Sequence, residues 1–272
     1  MGLVALLIVL AVAAWSWTAG RMTGMDSGPW TPLGQLGWFV SIWVVMMAAM
    51  MLPSVAPTVA LYSRMTRSRS AAAPLLFTGG YLLTWAAAGL AAFAIAEGSG
   101  RVAGGALAWD RAGRWTAGAT LIAAAAYELT PLKDVCLGKC RSPLGALLGS
   151  WRGGAAGAVS MGIRNGAWCV GCCWALMAAL FALGVMSITW MIVIAALIVL
   201  EKLLPWRETA EAITVVVLLA LAIGVAFFPG ELPGLTTPDS PAAMRAMDSI
   251  GMQEAPMHDS QMDEPPMQNM NP

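Results

Sequence analysis

NGAWCVGCCWALMAALFALGVMSITWMIVIAALIVL, residues 165–200, runs for 36 positions without one charged side chain. A helix needs about 20 apolar residues to cross the hydrocarbon core of a bilayer. The run is therefore too long for one crossing and just long enough for two short ones, with a tight turn predicted near Gly184–Ser187. The same pattern recurs on either side. Uncharged runs at Gly2–Gly20, at Ser27–Ser63 with its apolar body in Leu36–Leu52, at Ala71–Ala96 and at Ala212–Phe228, with a short run at Trp115–Thr130 that carries Glu128 near its end, bring the expected count to about seven spans. The first run lacks a basic leader segment and reads as a membrane anchor, not a cleaved signal peptide.

Composition agrees. Of the 272 residues, 58% are hydrophobic and 11% charged, against roughly 25% charged in soluble domains. Fifteen basic residues balance fifteen acidic ones, which leaves no basic surface for nucleic acid. The fold expected is all-α, a polytopic transmembrane helix bundle over residues 1–229, with the lipid bilayer as its first partner. Trp15, Trp17, Trp30, Trp38, Trp168, Trp190 and Trp206 fall near the expected span ends, as interface anchors do.

Basic residues set the expected orientation. Arg64, Arg67 and Arg69, then Lys133, Lys139, Arg141, Arg152 and Arg164, then Lys202 and Arg207 cluster after alternate spans. By the positive-inside rule those loops and the N-terminus are cytoplasmic, and the chain after Phe228 is extracytoplasmic. Arg101, Arg111 and Arg114 run against this pattern. Arg164 is expected at the interface with its head snorkelling out, Glu201–Lys202 as an interfacial charge pair, and Pro53 and Pro57 as a break in their helix that frees carbonyls.

Residues 230–272 change character, being rich in Pro, Asp, Glu, Gln and Met, and are expected to be a disordered tail. Met247, Met252, Met257, Met262 and Met267 recur every five residues, flanked by Met244 and Met270, and His258 is the one histidine of the chain. A period of five matches neither a helix nor a strand, so the series is no core stripe. Thioethers are soft ligands suited to Cu(I). Within the first spans, Met46, Met47, Met50 and Met51 form two i, i+4 pairs, and Met22 and Met25 stand before them.

All five cysteines fall between residues 136 and 173. Cys136 and Cys140 are spaced i, i+4, and Cys169, Cys172 and Cys173 are spaced i, i+3, i+4, so each group occupies one helical face. Lys133, Lys139 and Arg141 are expected to lower the pKa of the first pair and favour the thiolates that bind metal. Packing explains one or two cysteines and explains a CxxCC beside a CxxxC poorly. A thiolate-only cluster suits Cu(I), with Zn(II) the alternative. The chain has no P-loop, GxSxG, HExxH or phosphorylated-Asp motif.

The runs MMAAMMLPSVAPTVALY (46–62), YELTPLKDVCLGKCRSPLG (127–145) and GIRNGAWCVGCCWALM (162–177), with EKLLP at 201–205, resemble the predicted metal-binding integral membrane proteins, a bacterial family of unknown function. The likeness spans roughly residues 30–228. It implies a multi-pass inner-membrane protein that handles copper or a related metal. Many relatives carry a histidine before the CxxCC segment where this chain has Asn165, which removes one candidate ligand.

These readings converge on a metal-handling membrane protein more readily than on an enzyme. Cu(I) would be captured by the tail methionines and His258 with Met22 and Met25, pass Met46, Met47, Met50 and Met51, and reach Cys169, Cys172 and Cys173, aided by Cys136 and Cys140. Transport, metallochaperone work and delivery to a copper enzyme all fit. The competing readings are a thiol oxidoreductase using Cys169 and Cys172, and a zinc-stabilised assembly or scaffold protein.

Overall fold

The computed structural model describes residues 2–22, 35–66, 70, 72–103, 112–149, 151–184 and 187–229. They are helical almost throughout: α1 (Gly2–Met22), α2 (Leu36–Thr66), α3 (Ala73–Ala103), α4 (Arg114–Glu128), α5 (Pro131–Arg141), α6 (Pro143–Leu148), α7 (Gly154–Leu183), α8 (Ile188–Leu203) and α9 (Arg207–Phe227). Met25, Trp30 and the whole of the Met-rich tail with His258 lie outside the described residues.

Four helices are long and apolar enough to cross a membrane: α2, α3 over Ala73–Ser99, α7 and α9. They divide into two kinds. The most apolar windows of α2 and α7 are each 61% buried within the protein, while those of α3 and α9 are 22% and 28% buried. α2 and α7 are thus the interior, and the outer helices expose Leu75, Leu83, Leu90 and Ile95 on α3 and Val216, Ile223 and Phe227 on α9. Such continuous exposed apolar surface suits lipid contact. The remaining expected spans are shorter: Ala5–Thr18 is the apolar stretch of α1, and α4 and α8 have 15 and 16 residues. At 1.5 Å per residue these last two reach about 22–24 Å, short of the roughly 30 Å hydrocarbon core.

α7 is the hub. It packs on α3, α4, α5 and α8, while α2 joins α1 and α3, and α4 joins α9. The α3–α7 contact is made backbone to backbone. A side chain at Gly162 would collide with the Phe77 carbonyl and one at Gly80 with the Val159 carbonyl, and Gly166 abuts Thr84. Gly162 and Gly166 form the GxxxG spacing that lets membrane helices approach closely. Across this seam Thr84 Oγ1 donates to the Ile163 carbonyl at 3.2 Å.

Several local expectations need correction. The turn after α7 falls where expected: Gly184 adopts φ +112°, a left-handed conformation natural to glycine, and Ser187 N donates to its carbonyl at 3.1 Å. However, α7 begins at Gly154, so Arg164 sits ten residues inside a continuous helix and not before one. α2 also runs unbroken through Pro53 and Pro57. The nearby Ser54 hydroxyl donates to the Met51 carbonyl at 2.8 Å, a bond back to the preceding turn that serine commonly makes within a helix. Trp190 is buried, not an interface anchor, whereas Trp17, Trp38 and Trp206 are exposed.

Candidate metal centre

The CxxCC segment turns its sulfurs inward because Asn165, Gly166, Cys169, Cys172, Cys173 and Leu176 form one i, i+3, i+4 stripe, and all of them are buried. α5 supplies a further thiol. Thr130 caps its N-terminus, accepting from Lys133 N at 3.4 Å, and Pro131 occupies the first turn, where its missing N–H costs nothing. Three side-chain contacts then pin α5 against the α8–α9 end. Lys133 Nζ donates to Glu201 Oε1 at 2.6 Å, Asp134 pairs with Arg207 at 2.5 Å, and Arg141 donates to the Leu204 carbonyl.

This arrangement brings Cys140, Cys169 and Cys172 together, with all three sulfurs within 4.8 Å of one another. Cys173 Sγ lies 3.3 Å from Cys172 Sγ. Metal–thiolate bonds of about 2.3 Å place the sulfurs around one ion about 3.8–4.0 Å apart, so sub-ångström closure would suffice. Met51 Sδ stands 4.0 Å from Cys169 Sγ and adds a soft thioether from α2. Met47 lies one turn before it on the same face and is fully buried. Met46 and Met50 are also buried, in the apolar core.

Two polar groups the sequence reading missed complete the centre. Lys202 Nζ is 3.1 Å from Cys169 Sγ, 3.2 Å from Ser54 Oγ and 3.9 Å from Met51 Sδ. The Tyr81 hydroxyl is 3.0 Å from Cys169 Sγ. A monovalent ion held by two or three thiolates is a net anion, costly in a low-dielectric interior unless a cation neutralises it. Lys202 supplies that cation. Glu201–Lys202 is therefore not an interfacial pair: the two side chains enter different buried clusters. Glu201 joins Lys133 and Glu128, all three essentially inaccessible.

The first cysteine pair is divided. Cys140 joins the centre, whereas Cys136 packs against Gly171 on another strip of α7. Nor are their thiols activated as expected, because Lys133 is committed to carboxylates and Arg141 to a carbonyl. Burial pushes Cys136 up. Hydrogen bonding to Cys169 pushes Cys140 up to about 11, so Cys140 is a thiol at neutral pH. Met22 is the last residue of α1, and its side chain lies outside the described ones.

Residues 40–225 match the model of a family described as PpoB2: Copper chaperone, more than two thirds of the chain and every residue of the centre. The chain belongs to this copper chaperone family. No curated protein and no solved structure matches it. Membership points to copper, and a cluster of thiols with one thioether and no described imidazole or carboxylate ligand is a soft donor set.

Proposed function

We propose that this protein is a membrane-embedded Cu(I) chaperone that holds one ion among Cys140, Cys169 and Cys172, with Met51 as a soft fourth donor and Lys202 as counter-ion, and hands it to a copper enzyme. The convergence of these five side chains from α2, α5, α7 and α8 carries the reading. Cys173, 3.3 Å from Cys172, is a reserve ligand for exchange, and Cys136 is a packing residue.

In the fuller scheme the molecule sits in a bacterial inner membrane with about seven spans, α1, α4 and α8 being short ones accommodated by local thinning. The N-terminus faces the cytoplasm and residues 230–272 extend outside as a disordered tail. Tail methionines 247, 252, 257, 262 and 267, with His258, collect copper outside, and Met22 and Met25 stand near the entry. Met46, Met47, Met50 and Met51 lead inward. Buried thioether sulfur along one helix is the support for that path.

Elemental analysis tests the reading. Purified full-length protein and a form truncated after Gly230, grown with copper and zinc together, are both expected to carry copper, with more in the full-length form. Replacing Cys140, Cys169 and Cys172 by Ala in the truncated form should remove it. Zinc alone in both forms, or copper unchanged in the triple variant, rejects the assignment.

A further inference from the structure

A pocket opens beside the centre at the α5–α6 end of α7. Its lining includes Lys139, Arg164, Asn165, Phe77, Met161 and Trp168, and no carboxylate. Lys139 and Arg164 are both exposed, and neither has an ion-pair partner among the described residues. Asn165 is only 7% exposed, and its amide makes no hydrogen bond among the described residues. Because those amide atoms keep solvent contact although the residue is buried, they open into the pocket and are free to meet a ligand there. Two cations and an amide N–H₂ are complementary to carboxylates, and the rings and thioether suit a short apolar stem. The position is as informative as the lining. Asn165 lies one helical turn before Cys169 on the same buried stripe, and Lys139 immediately precedes Cys140.

We propose that this pocket is a docking port for small carboxylate-bearing thiols, which present Cu(I) to the neighbouring cysteines. The proposal rests on the chaperone reading and adds a small-molecule donor that loads the centre directly, separate from the route through the tail methionines. The pocket binds the carboxylates of the carrier, leaving its sulfur and copper directed toward Cys140 and Cys169. Exchange then balances without redox change: a protein Sγ–Cu bond forms, the carrier S–Cu bond breaks, and the displaced protein thiol proton leaves on the carrier sulfur.

Reduced glutathione is a suitable probe, used with full-length protein in nanodiscs of neutral phosphatidylcholine. Copper transfer from Cu(I)–glutathione should slow at least tenfold in the double variant Lys139→Gln/Arg164→Gln. Equilibrium Cu(I) affinity, read by competition with a chromogenic chelator, should stay within threefold of wild type. S-methyl glutathione, which keeps the carboxylates and lacks a free thiol, should bind metal-free wild-type protein and inhibit transfer competitively. Equal transfer rates in the two proteins overturn the port. So does indifference to S-methyl glutathione combined with inhibition by phosphatidylglycerol, which would make the pocket a lipid headgroup site. If the protein binds no Cu(I), the chaperone reading falls, and S-methyl glutathione binding still reports separately on the pocket.

Discussion

Lys133 and Lys202 both carry an ammonium group into the helical core, but they meet different partners. Lys133 lies between Glu128 on α4 and Glu201 on α8, sealed from solvent with both. Lys202 faces sulfur and a hydroxyl, with Cys169, Ser54 and Met51 around it. Carboxylates are hard acceptors that hold the lysine permanently, so the first cluster is a cross-link between helices. Thiols change charge when they lose a proton or gain a metal, so on the proposed reading the second lysine answers charge on sulfur and not a fixed carboxylate. Glu201 and Lys202 are adjacent in the chain, and that single step divides architecture from chemistry.

The comparison breaks most sharply at Lys133. Lys133→Met leaves two buried carboxylates without a cation and should cost about 3–5 kcal/mol, read as a lowered unfolding midpoint in detergent. Glu128→Gln, which leaves a one-to-one pair, should cost far less. If both variants unfold together, the triad is not the cross-link described. Lys202→Met should do the opposite, preserving the midpoint while weakening Cu(I) binding about 10–100-fold, the range for loss of a group supporting a metal's ligands. Equal stability losses at the two lysines would erase the distinction.

Acidity sharpens it further. Since Cys140 is held up to about 11, metal must displace its proton throughout the neutral range. Apparent Cu(I) affinity therefore rises with pH, and Cys140→Ser should reduce the slope of log affinity against pH by about one. An unchanged slope in a competitor titration between pH 6 and 8 would place Cys140 outside the bound complex. The smallest effect is expected for Met51→Leu, a volume-conserving change that costs under about 1.5 kcal/mol of stability. It should still lower Cu(I) affinity several-fold in the same titration, and no loss would leave Met51 as packing.

What could be read in the sequence was local. The helical spacing of Cys169, Cys172 and Cys173, the turn at Gly184 and the helices themselves follow from patterns within a few residues. The centre also depends on contacts across the chain: Cys169 with Tyr81 is 88 positions apart and Lys202 with Met51 is 151. No periodicity reports these. Charges beside apolar runs were assigned to the interface because hydropathy locates a residue along a helix and says nothing of the face it occupies. Glu128, Lys133, Glu201 and Lys202 all turn inward, and two of the cations near Cys136 and Cys140, Lys133 and Arg141, are engaged elsewhere. Gly162 and Gly166 did carry a local signal in their four-residue spacing, which accounts for the tight α3–α7 seam.

The 151 positions between Met51 and Lys202 also bear on when the protein becomes competent. Ribosomes build chains from the N-terminus, and a centre assembled from α2, α3, α5, α7 and α8 is incomplete until α8 has been made and packed. A half-made chain offers scattered thiols with no counter-charge, and therefore a poor grip on copper. On the proposed reading, loading would serve as a receipt for a finished fold, given only to molecules whose distant segments have found one another.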